Sequence, residues 1–483
     1  MKALLTLALI SFFIFVQSAS AQQWIDKKYS YDSLMNVTYG TSIDFLGNAE
    51  SHKMDIYLPN CDDAAHISRR PLIVFIHGGA FIAGSKDEVN LQSMCKQYAQ
   101  RGYVTASIDY RLGFVSDDAS HTCNFPNYSC VFAADSAEWH RAYYRSVQDG
   151  KGALRYLINR NAQFRIDTNN VFVAGESAGA FVSLGVALMD TINEKLPLAN
   201  ATSSVPAPNA NTSSCVYNVG KTFPAMIARP DLGDIHGTIE PTTINYTIKG
   251  VGNMFGGMMS DLLKYSKAGP KPQIYSYHQP CDMVVPIDSA KIYAGLSWCM
   301  TNGYNCNGIS NTPKVYGSRA FSSFNTTNSY GYTISNNFTA TNFPFNFLFG
   351  PGSCADQVNN PCHAYDNFGN RLNQLAAFFA PLVSTSPICD TTFFTTGITQ
   401  LDLEKDLTLF PNPASETFTI RQLTFEKANY SIHDNQGRLI QSGELKIGDN
   451  LITLHNNIMS GLYFVSVHKG EIRAVKTISF RKN

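Results

Sequence analysis

Charge is scarce and evenly balanced in this chain of 483 residues. Charged residues make up only 15% of the sequence, and 37 lysines and arginines cancel 37 aspartates and glutamates. A protein that binds nucleic acid or an anionic membrane through surface charge carries a basic excess. The balance therefore argues against both of these functions.

Long apolar runs are missing as well, apart from one near the N-terminus. A lysine precedes an apolar stretch at residues 4–16, and small residues follow at 19–21. The stretch is shorter than the ~20 apolar residues of a transmembrane helix. It predicts a signal peptide at residues 1–21, with an uncleaved anchor as the alternative, and no transmembrane segment elsewhere.

Cysteine is absent after Cys389, although eleven cysteines occur up to that position. Export delivers thiols to an oxidising compartment, so the pattern favours disulfides over a metal site. The odd number leaves at least one cysteine free or paired between chains. Short spacings indicate candidate loop disulfides, namely Cys123/Cys130, Cys299/Cys306 and Cys354/Cys362.

The order of apolar and amphipathic segments predicts an α/β fold. Residues 37–59 alternate as in a β-hairpin, and continuous apolar runs then alternate with helix-like segments up to residue 190. This rhythm is typical of a mostly parallel sheet covered by helices on both faces. It resumes at residue 248, with helix-like segments at 289–303 and 367–383.

Two polar stretches, at about 197–247 and 303–360, interrupt that rhythm as predicted insertions. Loops of this length are usually lids or binding loops, with surface elaboration as the alternative. The second is rich in Phe, Tyr and Asn, and we expect it to fold over a site for an apolar or aromatic group. Together these patterns predict a catalytic domain at 22–389, a linker at 390–405 and a β-sandwich at 406–483.

Ser177 is the candidate nucleophile. It lies in Gly-Glu-Ser-Ala-Gly, between a β-branched apolar run and an amphipathic segment, which is the strand-turn-helix setting of a nucleophile elbow. The flanking Gly175 and Gly179 leave room for the sharp turn that strains the serine backbone. A structural turn serine is the alternative.

A serine hydroxyl needs a base and an acid that orients the base, and the chain order in this topology is serine, acid, histidine. The histidines between Ser177 and the tail are His236, His278 and His363. We predict His363 as the base. Of the three histidines, only His363 is preceded by a strand with a candidate acid after it and is followed by a helix. Asp282 directly follows a strand, so we predict it as the acid. The alternatives, Asp261 and Asp288, are better explained as N-terminal residues of helices.

A glycine-rich turn follows the first apolar strand, in the sequence His-Gly-Gly-Ala-Phe. Such a turn exposes backbone amides that stabilise an oxyanion. We predict the donors to be the N–H groups of Gly79, Ala80 and Ala178. We assign structural support to His77, Gly78, Gly175 and Gly179.

The acid and the base are each preceded by a cysteine, Cys281 before Asp282 and Cys362 before His363. If the acid and base touch, these cysteines lie within the ~4.4–6.8 Å Cα separation that a disulfide requires. We therefore predict a Cys281–Cys362 disulfide that clamps the two loops together. A local Cys354–Cys362 disulfide is the alternative.

These motifs, from His-Gly-Gly-Ala-Phe to His363, together resemble an α/β-hydrolase of the carboxylesterase/lipase superfamily over roughly residues 35–385. The serine elbow resembles that of type-B carboxylesterases, whose acid is usually Glu. The segment Cys-Asp-Met-Val-Val-Pro is more similar to the hormone-sensitive-lipase branch, so the subfamily stays open. Ala80 also replaces a glycine that is common in the oxyanion motif of that branch.

The tail has a resemblance of its own. The segments Leu-Phe-Pro-Asn-Pro-Ala-Ser, Asp-Asn-Gln-Gly-Arg and Ser-Gly-Leu-Tyr-Phe-Val-Ser-Val resemble the C-terminal sorting domain of the type IX secretion system of Bacteroidetes. This resemblance implies export across the outer membrane by that machinery, with cleavage or surface attachment of the tail. A carbohydrate-binding sandwich is the alternative.

The sequence thus predicts a secreted serine hydrolase of carboxylic esters, free or polymer-linked, that needs no metal or organic cofactor. Alternatives are a glycan esterase for acetyl or feruloyl groups, a peptidase or amidase, and a non-catalytic binding protein on a hydrolase scaffold. The insertions carry the specificity, so the sequence leaves the substrate open.

Overall fold

The chain divides into two compact units, Met1–Cys389 and Asp390–Asn483. The structure, a computed structural model, describes residues 23–60, 69–114, 135–206, 224–265, 267, 269–295, 312–338, 362–384, 407–434, 438–454, 459–469 and 472–481. The predicted signal peptide, the linker and the cysteines of the first two candidate loop disulfides lie outside these residues.

The first unit alternates strands and helices. Its strands are β1 (Tyr31–Ile43), β2 (Ala49–Pro59), β3 (Arg70–Ile76), β4 (Val104–Ile108), β5 (Ile166–Glu176), β6 (Thr202–Pro206), β7 (Met226–Arg229), β8 (Ile248–Met254), β9 (Gly257–Met258), β10 (Gln273–Tyr277), β11 (Ser289–Lys291), β12 (Lys314–Gly317) and β13 (Ile334–Asn337). Its helices are α1 (Val89–Ala99), α2 (Ser136–Asn159), α3 (Asn161–Phe164), α4 (Ala178–Leu188), α5 (Ser318–Thr327) and α6 (Phe368–Phe379), with short 3-10 helices at Ile192–Glu194, Pro197–Ala199 and Ala380–Leu382.

The central sheet confirms the predicted α/β-hydrolase architecture. Among the described residues it has the strand order β1-β2-β4-β3-β5-β8-β10-β13. The predicted hairpin is β1–β2, and β2 also runs antiparallel to β4. From β4 onward each neighbouring pair is parallel. The carboxyl ends of β3, β5 and β10 therefore lie at one edge of the sheet, where such folds place their sites.

The central strand β3 shows how the sheet is covered on both faces. All seven of its residues are buried, and successive side chains point to opposite faces. Leu72, Val74 and Ile76 pack in the same apolar core as α2 and α4. Ile73 and Phe75 pack in a second core with α1 and α6. A continuous apolar run is therefore required, as the sequence pattern indicated.

Two expectations from the sequence pattern are wrong. The segment 289–303 was expected to begin as a helix, but Ser289–Lys291 is β11, which pairs with β12 in a small antiparallel sheet. The segment 303–360 was expected to be an insertion, but residues 334–337 form the edge strand β13 of the central sheet. A search for apolar runs misses short polar edge strands. An edge strand pairs with a neighbour on one side only, so it need not be apolar throughout.

The second unit is the all-β domain predicted for the tail. Its strands are β14 (Thr408–Phe410), β15 (Thr417–His433), β16 (Leu439–Thr453), β17 (Gly461–Lys469) and β18 (Ile472–Phe480). All the strand pairs are antiparallel, and long β15 pairs with β14, β16 and β17. Alternate residues of these strands, among them Phe418, Ile432 and Val465, form a separate apolar core.

Within the described residues, no helix combines the length and apolar character needed to span a membrane.

Replacing Gly179 by alanine should destabilise the fold. A Cβ there would lie 2.1 Å from the carbonyl oxygen of Ile76 and 2.4 Å from that of His77, and neither can move without disturbing β3. We expect the free energy of unfolding to fall by about 1–3 kcal/mol or more in denaturant titrations. Gly369→Ala is the control, because open space surrounds Gly369 in α6 and alanine favours a helix. Equal stability of Gly179→Ala and the wild type would contradict this close packing.

Candidate active site

Ser177 occupies a strained turn between β5 and α4. Its backbone angles are φ 52° and ψ −123°, in a region that non-glycine residues rarely adopt. Its N–H donates to the carbonyl oxygen of Met254 at 2.9 Å. A Cβ on Gly175 would lie 2.3 Å from the carbonyl oxygen of Gly179. Both flanking glycines are therefore required by close backbone approach, and the turn presents the serine at the sheet edge.

The structure brings the three predicted triad residues together. The His363 Nε2 atom lies 2.7 Å from the Ser177 Oγ. The His363 Nδ1 atom lies 2.7 Å from Asp282 Oδ2. Because the carboxylate accepts, Nδ1 carries a proton and Nε2 is left to accept from the serine hydroxyl. This is the arrangement in which a histidine can remove the serine proton.

Asp282 lies in the loop after β10 and is held as a carboxylate. Its Oδ1 accepts from the backbone N–H groups of Val284 and Val285 at 2.9 and 3.0 Å. Burial by itself raises the pKa of Asp282, but the charge interaction with His363 and the hydrogen bonds from His278 and His363 outweigh burial and keep this pKa below its usual value. The side chain therefore stays ionised at neutral pH.

The predicted disulfide clamp is confirmed. Cys281 and Cys362 are bonded, with their Cα atoms 5.7 Å apart across a sequence separation of 81 residues. The alternative partner of Cys362, Cys354, lies outside the described residues. The disulfide fixes the residue before the acid to the residue before the base, so it limits how far the two loops can move apart.

The predicted oxyanion loop turns tightly beside the serine. The Gly79 carbonyl oxygen accepts from the N–H groups of Ile82 and Ala83, both at 3.0 Å. Gly79 has φ 103°, and a Cβ there would lie 2.1 Å from the carbonyl oxygen of Ala83. Gly79, Ala80 and Ala178 all line the cavity that holds the Ser177 side chain. Their N–H groups are thus candidates to receive a negative oxygen bound there.

His77 supports this loop from below. Its ring is fully buried and stacks on the Tyr110 ring with centroids 4.2 Å apart. Its Nδ1–H donates to the carbonyl oxygen of Gly78 at 2.7 Å. Burial lowers the pKa of His77 to about 4, so the ring is neutral at physiological pH. The following Gly78 packs directly on the nucleophile, because a Cβ there would meet the Ser177 Cβ at 3.2 Å.

The other acidic residues and histidines considered from the sequence lie away from Ser177. Asp288 forms an ion pair with Arg319, and Asp261 accepts from the Tyr330 hydroxyl. Neither begins a helix in the described structure, so that interpretation is wrong: Asp288 directly precedes a strand, and Asp261 precedes a turn. His236 lies beside Lys151 of α2. His278, by contrast, contacts Asp282.

A cavity of about 370 Å³ opens at Ser177 and His363. Apolar side chains from α2, α4 and the loops after β3, β10 and β11 line it, including Phe81, Trp139, Phe181, Val284, Val285 and Ile292. None of the described residues of the expected lid, 312–338, lines this cavity. They build sheet and helix instead, and the rest of the expected lid lies outside the described residues.

Glu176 is a residue of the site to which the sequence analysis gave no role. It directly precedes the nucleophile and is only 9% exposed. Burial and the neighbouring carboxylate of Glu88 raise the pKa of Glu176 to about 7. An acidic residue at the end of a buried strand was the signal that could have identified it.

In the part of the chain that is described, no group of three or more His, Cys, Asp or Glu side chains is arranged to hold a metal ion.

Replacing Glu176 by glutamine should reduce the pH dependence of stability. Folding raises the pKa of the Glu176 carboxyl from 4.5 to about 7. The carboxyl therefore loses its proton at a lower pH in the unfolded state than in the folded state, and the free energy of unfolding falls as the pH rises through this range. We expect the free energy of unfolding of Glu176→Gln to exceed that of the wild type at pH 8, by about 3 kcal/mol at most, and to equal it near pH 4. Thermal unfolding across this range measures the difference, and parallel curves for the two proteins would contradict it.

Comparison with known families agrees with this division of the chain. The BD-FAE family model matches residues 54–127 and 127–224. The model of the secretion system C-terminal sorting domain matches residues 408–481, which include β14 to β18.

Curated relatives match only part of the chain. The isoprenylcysteine alpha-carbonyl methylesterase ICME of Arabidopsis thaliana is 28% identical over 150 residues, which are 31% of this chain and 28% of that protein. The cAMP-regulated D2 protein of Dictyostelium discoideum is 31% identical over 170 residues, 35% of this chain and 26% of that protein. The chain thus spans about a quarter of the length of these relatives.

Among solved structures, a truncated form of a carbohydrate esterase from gut microbiota aligns with 74% of this chain and 98% of its own, at 14% identity and a TM-score of 0.36. The sheet order, the elbow and the two family matches together identify both parts of the molecule. The chain contains a BD-FAE domain of the α/β-hydrolase type and carries a C-terminal type IX sorting domain, which marks it for export to the medium or the cell surface.

Proposed function

We propose that this protein is a serine hydrolase that cleaves carboxylic esters by acyl transfer. The observation that carries the proposal is the continuous hydrogen-bonded line from Asp282 through His363 to Ser177, with both contacts at 2.7 Å. A hydroxyl at its ordinary pKa is a poor nucleophile, and such a line is the way in which serine hydrolases activate it.

In the first half of the reaction, the Ser177 Oγ attacks the ester carbonyl carbon while His363 Nε2 takes the hydroxyl proton. Asp282 holds the ring in the required tautomer and stabilises the imidazolium that forms. The imidazolium then gives its proton to the alcohol oxygen as the carbon–oxygen bond breaks. The alcohol leaves, and the acyl group remains on Ser177.

In the second half, water enters the vacated position and His363 takes one of its protons. The resulting attack on the acyl carbon releases the carboxylic acid, and the proton returns to the Ser177 Oγ. Each tetrahedral intermediate carries a negative oxygen. We assign its stabilisation to the N–H groups of Gly79, Ala80 and Ala178, where one such donor is typically worth about 2.7–4 kcal/mol.

The cavity next to Ser177 favours an ester with an apolar group. Aromatic and β-branched side chains line it, and such walls gain free energy by burying apolar surface. The triad opens at one point of this lining, so the scissile carbonyl lies at the polar end of an otherwise apolar site. An acyl or alcohol group larger than acetyl suits this volume.

The sorting domain supports action of this hydrolase outside the cell. We propose that the tail engages the type IX secretion machinery, because its matched region spans residues 408–481. The hydrolase would then meet its ester in the medium or at the cell surface, whether the ester is a small molecule or linked to a polymer.

Replacing Ser177 by alanine should abolish ester hydrolysis. The substitution removes the nucleophile, so we expect the turnover of p-nitrophenyl esters of increasing acyl length to fall by at least about 10,000-fold. Ser183→Ala is the matched control, since Ser183 lies on the same helix and its hydroxyl only donates to the carbonyl oxygen of Gly179. Retained turnover in Ser177→Ala would overturn the proposed function.

Replacing Cys281 and Cys362 together by serine should weaken both activity and stability. Without the disulfide, the base-bearing loop is no longer tied to the acid-bearing loop, and misplacement by about 1 Å costs on the order of 100-fold in rate. Closure of this loop also contributes up to about 4 kcal/mol to stability. Cys95→Ala is the control, because Cys95 is a buried free thiol. Wild-type kcat and melting temperature in the double variant would rule out a clamp.

A further inference from the structure

The triad acid contacts a second histidine. His278 directly follows β10 and is fully buried. Its Nε2 atom lies 3.3 Å from Asp282 Oδ2 and 3.0 Å from the carbonyl oxygen of Val285. A carbonyl oxygen can only accept, so Nε2 carries a proton and is shared between the two oxygens. His278 and His363 therefore both donate to the same carboxylate oxygen.

The other nitrogen of His278 extends this contact into a buried polar network. Its Nδ1 lies 2.9 Å from the Ser318 Oγ. Ser318 is the first residue of α5, and its oxygen accepts from Asn253 Nδ2 of β8 at 2.9 Å. The same amide group donates to Ser276 of β10 at 3.1 Å. With the proton of the neutral His278 ring on Nε2, Nδ1 is an acceptor, so the Ser318 hydroxyl donates to it. The carbonyl oxygen of Gly256 is a more distant acceptor for the same hydroxyl, at 3.5 Å.

The network has one direction. Donors run from Asn253 to Ser318, from Ser318 to His278, and from His278 to Asp282. The tautomer of the His278 ring sets this direction, because the proton on Nε2 leaves Nδ1 to accept from Ser318. The network also ends close to the nucleophile, since Asn253 pairs with Gly175 of the elbow in the parallel β5–β8 ladder.

We propose that His278 is a positioning residue for the triad, acting through Asp282; this inference rests on the proposed ester hydrolysis. Asp282 Oδ1 is occupied by two backbone amides, which leaves Oδ2 to meet both imidazoles. The His278 Nε2 atom lies 3.3 Å from Oδ2, and the His363 Nδ1 atom lies 2.7 Å from it. The plane of the carboxylate is thereby set, and with it the direction in which His363 Nε2 faces Ser177.

The test compares His278→Leu, which removes the donor, with His278→Gln, whose side-chain amide can place an N–H near the original Nε2. We expect His278→Leu to lower kcat by at least about tenfold with little change in KM, because ground-state binding does not depend on His363 geometry. His278→Gln should restore much of the lost kcat. Ser318→Ala, which frees the His278 ring, should fall between the wild type and His278→Leu.

His52→Leu is the matched control for replacing a buried histidine. His52 is also almost fully buried and bonded to a serine, Ser42 Oγ, at 2.6 Å, but it lies on β2, with β4 and β3 between it and β5. It should keep the wild-type kcat per folded site. Folded molecules are counted by the amplitude of the cooperative thermal unfolding transition, which does not depend on the reactivity of Ser177, so that losses through unfolding do not enter kcat.

The outcomes separate the inference from the function on which it rests. A wild-type protein that hydrolyses no ester would overturn the proposed function. A wild type that is active together with His278→Leu at wild-type kcat would overturn only the positioning role. Equal losses of kcat in His278→Leu and His278→Gln would also overturn it, since the donor would then be irrelevant. If His278→Leu does not fold, Ser318→Ala decides: unchanged kcat there rejects the inference.

Discussion

The hydrogen bond between Asp282 and His363 is the contact on which the rest of this site depends. It joins two loops whose contact residues are 81 positions apart in sequence. The contact itself is a single 2.7 Å distance between two side-chain atoms. Each loop is held by different means. Backbone amides and His278 hold the acid, while the disulfide and α6 flank the base. The chain thus uses both covalent and polar constraints to keep one contact short.

Ser177, the proposed nucleophile, is held by another kind of constraint, which is the close approach of backbone to backbone. Ser177 keeps an unfavourable φ because its N–H is bonded to β8 and because Gly175 and Gly179 let β3, β5 and α4 pack without intervening side chains. The strain is local, but the structure that resists its release is the central sheet. The position of the Ser177 backbone is therefore set by the central sheet.

Much of this could be predicted from the sequence, because the signals were local. The elbow lies within five residues, and the acid and base each follow directly from chain order and strand ends. The alternation of apolar runs identified the sheet, since β3 and β5 are buried on both faces. The proposed role of His278 was not foreseen, because the other members of its network, Ser318 and Asn253, are 40 and 25 residues away and no pattern along the chain links them. The edge strand β13 was missed for a related reason, as its polar residues resemble a loop.

The Cys281–Cys362 bond depends on the compartment that the polypeptide has reached. Before export the two cysteines are in the reducing cytoplasm. Only non-covalent contacts can hold the Asp282 and His363 loops together there. Oxidation is available after the chain has left the cytoplasm. The last constraint on the geometry of the site is therefore added only after the molecule has crossed a membrane.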